Sequence, residues 1–156
     1  MDPTSSESSI KYSIKEYFLT FVENSTTGVG IPVSFDAFEN PQPDDVKKWL
    51  LVLVNVLGIK KSSLSKIILT IYFNTREDAE GFESSVLRDT IFSLLSGSHD
   101  TILTPDSMIP LYDINTQERS GAITLILDET SQGEDFPAAD ETRCKIMTIP
   151  LKMASK

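Results

Sequence analysis

The chain has 156 residues, 40% of them hydrophobic and 24% charged, and its 23 acidic against 14 basic side chains leave a formal net charge of −9. That length fits one domain able to bury its own core, and the acidic balance argues against a reader of phosphate backbones and against docking on anionic membranes. Cys144 is the single cysteine, which excludes an intrachain disulfide and agrees with a reducing compartment without requiring one.

Residues 1–8 are polar and Ser-rich and read as a disordered tail ahead of a single domain over 9–156. They carry neither the basic start nor the apolar stretch of a secretory signal. The longest apolar run, residues 49–54, falls far short of the ~20 residues of a membrane-spanning helix. Ser8 or Ser9 is placed to cap a helix, and Ile10, Ile14, Tyr17, Phe18, Phe21 and Val22 then recur at gaps that mark one helical face. The Asn, Ser, Thr and Gly of residues 24–30 end it. Over residues 31–38, Val33 and Phe35 alternate with polar neighbours and suggest a short strand. The two prolines of Asn40-Pro-Gln-Pro-Asp-Asp mark a loop.

Residues 47–57 place Trp49, Leu51 and Leu53 on one side and Leu50, Val52, Val54 and Val56 on the other, the pattern of a strand covered on both faces. A connector over 58–65 leads to a second strand, residues 67–73, and the two read as an antiparallel hairpin with a generous loop. Thr75 with Asp78 three residues on fits a capping box in its Asp variant. Glu77, Asp78 and Glu80 then put negative charge on a first turn, where the helix dipole favours it. Ala79, Phe82, Val86, Leu87, Ile91, Leu94 and Leu95 continue as a helical stripe to Gly97, with Phe82, Ile91 and Leu94 expected against the sheet. Short strands follow over 107–112, 122–127 and 145–153, separated by polar segments over 113–121 and 128–142. The expected whole is an α+β domain, two amphipathic helices packed on one face of an antiparallel sheet of about five strands.

The inventory for catalysis is thin. His99, the only histidine, sits in the turn-like Gly97-Ser-His-Asp and reads as a loop residue, against a dyad with Asp100. Cys144 opens an apolar strand and reads as a small buried hydrophobe rather than a nucleophile. One histidine and one cysteine do not by themselves build a common zinc site. No phosphate-cradling glycine loop and no nucleophile elbow occurs. The carboxylate pairs Asp44-Asp45, Glu134-Asp135 and Asp140-Glu141 all fall in expected loops. There solvated charge is the ordinary reading, with a carboxylate pair or a magnesium site as the sharper one. The spacing from Asp128 to Glu134 is not that of a calcium loop. No metal or cofactor is therefore expected. Phe35, Phe38 and Phe136 lie in or beside loops; singly each reads as a core plug, together as anchors for a partner.

The order of elements carries a resemblance. A helix is followed by a Pro-rich loop flanked by Phe35 and Phe38, a Trp-led strand, and a second strand ending Phe73-Asn-Thr-Arg. The helix after Glu77, a short strand with Ile109-Pro-Leu and two closing strands complete it. Over about residues 10–153 this order resembles the tail terminator proteins of long-tailed, non-contractile (siphovirus-type) bacteriophages. It does so by pattern and order, Asn74-Thr-Arg-Glu-Asp marking the strand-to-helix junction. The resemblance implies a non-enzymatic virion protein, assembled in the host cytoplasm. Such a protein forms a homohexameric ring at the head-proximal end of the tail, caps the tail tube, ends its polymerisation and meets the head–tail connector protein. DNA would pass through its lumen without specific binding, and an acidic wall suits that passage. Phe35, Phe38, Asp44, Asp45, Glu134, Asp135 and Phe136 are the candidates for an oligomer or tube interface. The alternatives are another head–tail completion protein, a secretion-chaperone-like dimer holding a protein client, and a small carboxylate-based hydrolase or isomerase. The chaperone class normally closes with an amphipathic helix, which Pro150 opposes here.

Overall fold

The computed structural model describes residues 3–35, 45–58, 66–97, 108–133, 136–137 and 142–155. Helix α1 (Pro3–Phe18) runs on through one π-helical turn, Leu19–Glu23. Strands β1 (Val33–Phe35), β2 (Lys48–Gly58) and β3 (Lys66–Thr75) precede helix α2 (Phe82–Ser96). Then come β4 (Met108–Tyr112), β5 (Arg119–Leu125), a 3-10 turn at Leu127–Glu129, β6 (Ser131–Gln132), β7 (Phe136–Pro137) and β8 (Arg143–Ser155). Among the described residues one sheet of eight strands results, in the order β1-β2-β3-β8-β5-β4, with β6 and β7 pairing along the β5 side of β8.

The α+β class and the hairpin of β2 with β3 agree with the sequence reading, but the sheet is larger than five strands and is mixed. β1 pairs parallel to β2, Val33 opposite Leu50 and Phe35 opposite Val52, whereas the other pairings are antiparallel. Strands of two or three residues, such as β1, β6 and β7, are shorter than any window in which periodicity is visible. The polar segment expected as one long loop from 128 to 142 thus contains the 3-10 turn and two brief ladder contacts with β8.

The register puts one set of side chains on the core face. Leu50, Val52 and Val54 stand opposite Phe73, Ile71 and Leu69; the last two in turn face Met147 and Ile149, and Ile67 faces Leu151. All of these are buried, together with Ile109, Leu111, Ile123 and Leu125 from the far strands. Both helices close this face. α1 contributes Ile10, Ile14, Tyr17 and Phe18, its π-helical turn Val22, and α2 contributes Leu87, Ile91 and Leu95, all in one cluster.

α1 begins at Pro3, inside the stretch expected as a tail; a proline's fixed φ and missing N–H suit the first helical position. Two buried serines tie α1 to the sheet. Ser13 Oγ donates to the Ser9 carbonyl at 2.7 Å and accepts the Tyr112 N–H at 2.8 Å, and Ser9 Oγ accepts the Ile114 N–H at 3.2 Å. After Glu23 the Asn24 side chain accepts the N–H groups of Thr26 and Thr27. Gly28 then folds back so closely that a Cβ would lie 2.5 Å from the Phe21 carbonyl carbon, so only glycine fits.

Pro150 sits inside β8, opposite Ile68 on β3. Its carbonyl accepts the Ile126 N–H at 2.9 Å, so its missing donor faces the same neighbour. There the chain leaves the ladder between Leu125 and Ser131 through the 3-10 turn. A proline is tolerated in this strand because the interruption falls where its N–H would have been needed.

Candidate interaction surface

The junction between β3 and α2 is a polar node whose parts are all accounted for. Thr75 remains the last residue of β3, paired with Lys48 and Arg143, and the helix starts only at Phe82. The expected capping box is thus displaced. Thr75 Oγ1 donates to Asp78 Oδ2 at 2.9 Å, but the helix N-cap is Gly81 at φ +78°, which has no side chain to offer. The buried Asp78 carboxylate supplies the acceptors instead, Oδ1 taking the Glu83 N–H at 3.1 Å and Oδ2 the Ser84 N–H at 2.9 Å. From β8, Arg143 donates Nε to the Asp78 carbonyl at 2.8 Å and Nη2 to the Ala79 carbonyl at 2.6 Å. Burial pushes the Asp78 carboxyl up; the hydrogen bonds from the Ser84 N–H, the Thr75 hydroxyl and the Glu83 N–H outweigh it and hold the group below its ordinary value. Of the three acids expected in the first turn, none lies in the helix. Glu83 occupies that turn, and Glu77 instead pairs with Lys47 at 2.7 Å.

α2 exposes what the sequence stripe was expected to bury. Leu87, Ile91 and Leu95 face the core, and Leu94 packs half-buried against it, but Phe82 is 69% and Val86 57% exposed. The reason is angular. Phe82 to Leu87 is a five-residue step, about 140° around a helix of 3.6 residues per turn. The apolar residues therefore form two rows: one at Leu87, Ile91 and Leu95, the other at Phe82 and Val86 on the opposite side of the helix.

The second apolar surface is the face of the sheet turned away from both helices. Across β2, β3 and β8 it carries Leu51 opposite Tyr72 and Tyr72 opposite Ile146, then Leu53, Thr70 and Thr148 in one row, then Asn55, Ile68 and Pro150 in the next. Leu51, Leu53, Ile68, Tyr72 and Ile146 are all only half-buried. Trp49, at one end of this face, is buried, with the Arg76 guanidinium 4.6 Å from its ring centroid and Arg76 Nη1 donating to the Val46 carbonyl at 2.9 Å. β2 was expected to be covered on both faces. Its outer face is covered at Trp49 and only partly beyond it.

The interface candidates from sequence do not form one patch. Phe35 stands opposite the buried Val52 and packs half-buried on the core, which is the plug reading of that residue. Asp45 is exposed in a turn ahead of β2. Phe136 belongs to β7, opposite Cys144; its side chain, and the whole of Phe38, Asp44, Glu134, Asp135 and His99, lie outside the described residues. Cys144 is half-buried, opposite Asn74 on the outer face, and forms no disulfide. Among the described residues no group of three or more His, Cys, Asp and Glu side chains could hold a metal ion. No helix among them is long and apolar enough to cross a membrane. Sequence reasoning missed the Phe82 and Val86 row, although the five-residue step to Leu87 was there to be read.

No family model matches this chain, and no curated protein matches it. A solved structure that bears no functional name is similar over 99% of this chain and 96% of its own, with a TM-score of 0.56 at 7% sequence identity. At that identity the likeness establishes a shared fold along the whole chain.

Proposed function

We propose that this chain is a structural assembly protein, a ring-forming terminator of a phage tail tube, which joins the tube to the head connector and lets DNA pass through an acidic lumen. The observation that carries this reading is the pair of apolar surfaces pointing in opposite directions: the Phe82 and Val86 row, 69% and 57% exposed on the outer side of α2, and the half-covered sheet face of Leu51, Leu53, Ile68, Tyr72 and Ile146. A subunit in a cyclic ring needs two different patches, because its contacts run head to tail. A polar surface all round would suit a monomeric enzyme better, and one apolar patch would suit a two-fold dimer. The element order supplies the particular family, and the net charge of −9 suits a wall along which a polyanion must slide without sticking.

Native mass spectrometry with negative-stain imaging tests the reading. The expected result is a hexamer that appears as a ring and binds the end of a tail tube. A chain that stays monomeric at its highest soluble concentration, or closes as a two-fold dimer around a client protein, would overturn it.

A further inference from the structure

We infer that the occupant of the outer sheet face is α2 of a second copy of this chain, the Phe82 and Val86 row of one subunit seated across Leu53, Thr70 and Thr148 of the next. The inference rests on the assembly reading above and adds the interface to it. Three observations on the subunit point this way. The first is direction: α2 covers the core face of β3 and β8, so its exposed row and the outer sheet face look away from each other, and neither reaches the other within one chain. The second is form. A helix row with i, i+4 spacing is a ridge, and the sheet face offers threonines at Thr70 and Thr148, in register with each other, between the bulkier Tyr72 and Ile146 on one side and Ile68 on the other. A helix laid on a half-buried apolar sheet is the same layer solution that the subunit uses on its core face.

The third is charge. Beside the helix row stand the carboxylates Glu80 and Glu83, both exposed, whereas Asp89 is answered by Arg88 at 2.6 Å. On the outer side of β8 the exposed charged residue is Lys152, opposite Thr124 and four residues along the strand from Thr148, whereas at the far end of the face Arg76 is engaged with Trp49 and Lys47 with Glu77. Helix against helix would set Glu80 and Glu83 against their own copies, and sheet against sheet would do the same with Lys152. Only helix against sheet brings unlike charges together, and like-charge juxtaposition is what suppresses wrong pairings.

A mixing experiment tests this. One variant blunts the helix row, Phe82→Ser with Val86→Ser. Another blunts the sheet face, Leu53→Glu, with Lys152→Glu as a companion whose exposed position leaves the core untouched; circular dichroism and thermal melts establish that each is folded. The helix-row variant and Leu53→Glu should each associate on the order of a hundredfold more weakly than the parent, as loss of a central anchor does, and run as the 17.3-kDa monomer, whereas Lys152→Glu, at an exposed position, should weaken association only several-fold. Mixed, the helix-blunted and sheet-blunted chains each retain one good surface and should form a one-to-one heterodimer and nothing larger. If the parent is multimeric and folded variants of both kinds remain so, or if the two monomeric variants fail to pair on mixing, the interface assigned here is wrong while the assembly reading stands. A parent chain that is itself monomeric defeats both.

Discussion

Asp78 caps a helix it does not belong to, four residues ahead of Phe82. Three donors converge on its carboxylate from Thr75, Glu83 and Ser84, and the backbone that carries it is held by Arg143 from β8. Replacing it by alanine leaves the buried Ser84 N–H and the part-buried Glu83 N–H without acceptors, so Asp78→Ala should cost on the order of 2 kcal/mol at neutral pH. The pH dependence has a definite sign. The folded carboxyl titrates below its unfolded value, so its contribution is complete above that unfolded value and is lost as pH falls through the lower folded one. The stability gap between parent and variant, read from urea unfolding, should therefore be full at pH 7 and narrow progressively below about pH 4. An equal gap at pH 7 and at pH 3 would mean that the charge of Asp78 contributes nothing to the cap. Thr75 and Asp78 were visible in the sequence as partners, and they do bond. Their place relative to the helix was not visible, because Thr75 is claimed by the β3 ladder through Lys48 and Arg143, a long-range pairing that local spacing does not contain.

At the scale of elements, α2 carries two apolar rows, and they should respond differently to truncation. Ile91 is fully buried, so Ile91→Ala should destabilise the subunit by about 2–5 kcal/mol. Phe82 is 69% exposed, and Phe82→Ser in the isolated subunit should change stability by no more than about 0.5 kcal/mol. Thermal unfolding of the two variants under conditions that keep the subunit monomeric checks both. A large loss from Phe82→Ser there would place that ring in the core and remove the exposed row. The long elements were legible because their periods run over many residues: the β2 and β3 hairpin, the α1 face through Val22, and the β8 alternation. The parallel pairing of β1 was not, since three residues have no period and a parallel partner is chosen by the path of the chain. The position of Phe35 on the core side follows from that same pairing. The two rows of α2 were legible in principle, but a list of apolar positions at gaps of one, three and four hides the angle of about 140° between Phe82 and Leu87, five residues on.

At the scale of the whole molecule, the net charge of −9 opposes the proposed self-association. Each subunit carries −9, so copies arriving side by side repel one another over a range set by the Debye length, ~30 Å at 0.01 M salt and ~10 Å at 0.1 M. Against this stands a local attraction at the proposed interface, Glu80 and Glu83 towards Lys152. Exposed pairs of that kind contribute roughly 0–1 kcal/mol each, and salt weakens them too. The apolar contact of Phe82 and Val86 with the sheet does not depend on screening, and it keeps its strength as the charges fade. Net repulsion would act between all neighbours in the proposed ring at once, while the favourable pairs are few and exposed, so the repulsion is the larger of the two salt-sensitive effects. Self-association should therefore strengthen as sodium chloride rises from 0.01 M towards ~0.15 M, where the screening length falls to ~8 Å. Sedimentation velocity across that series reads the outcome directly. Association that weakens steadily with added salt would mean that ion pairs, rather than the apolar helix row, hold one copy to the next.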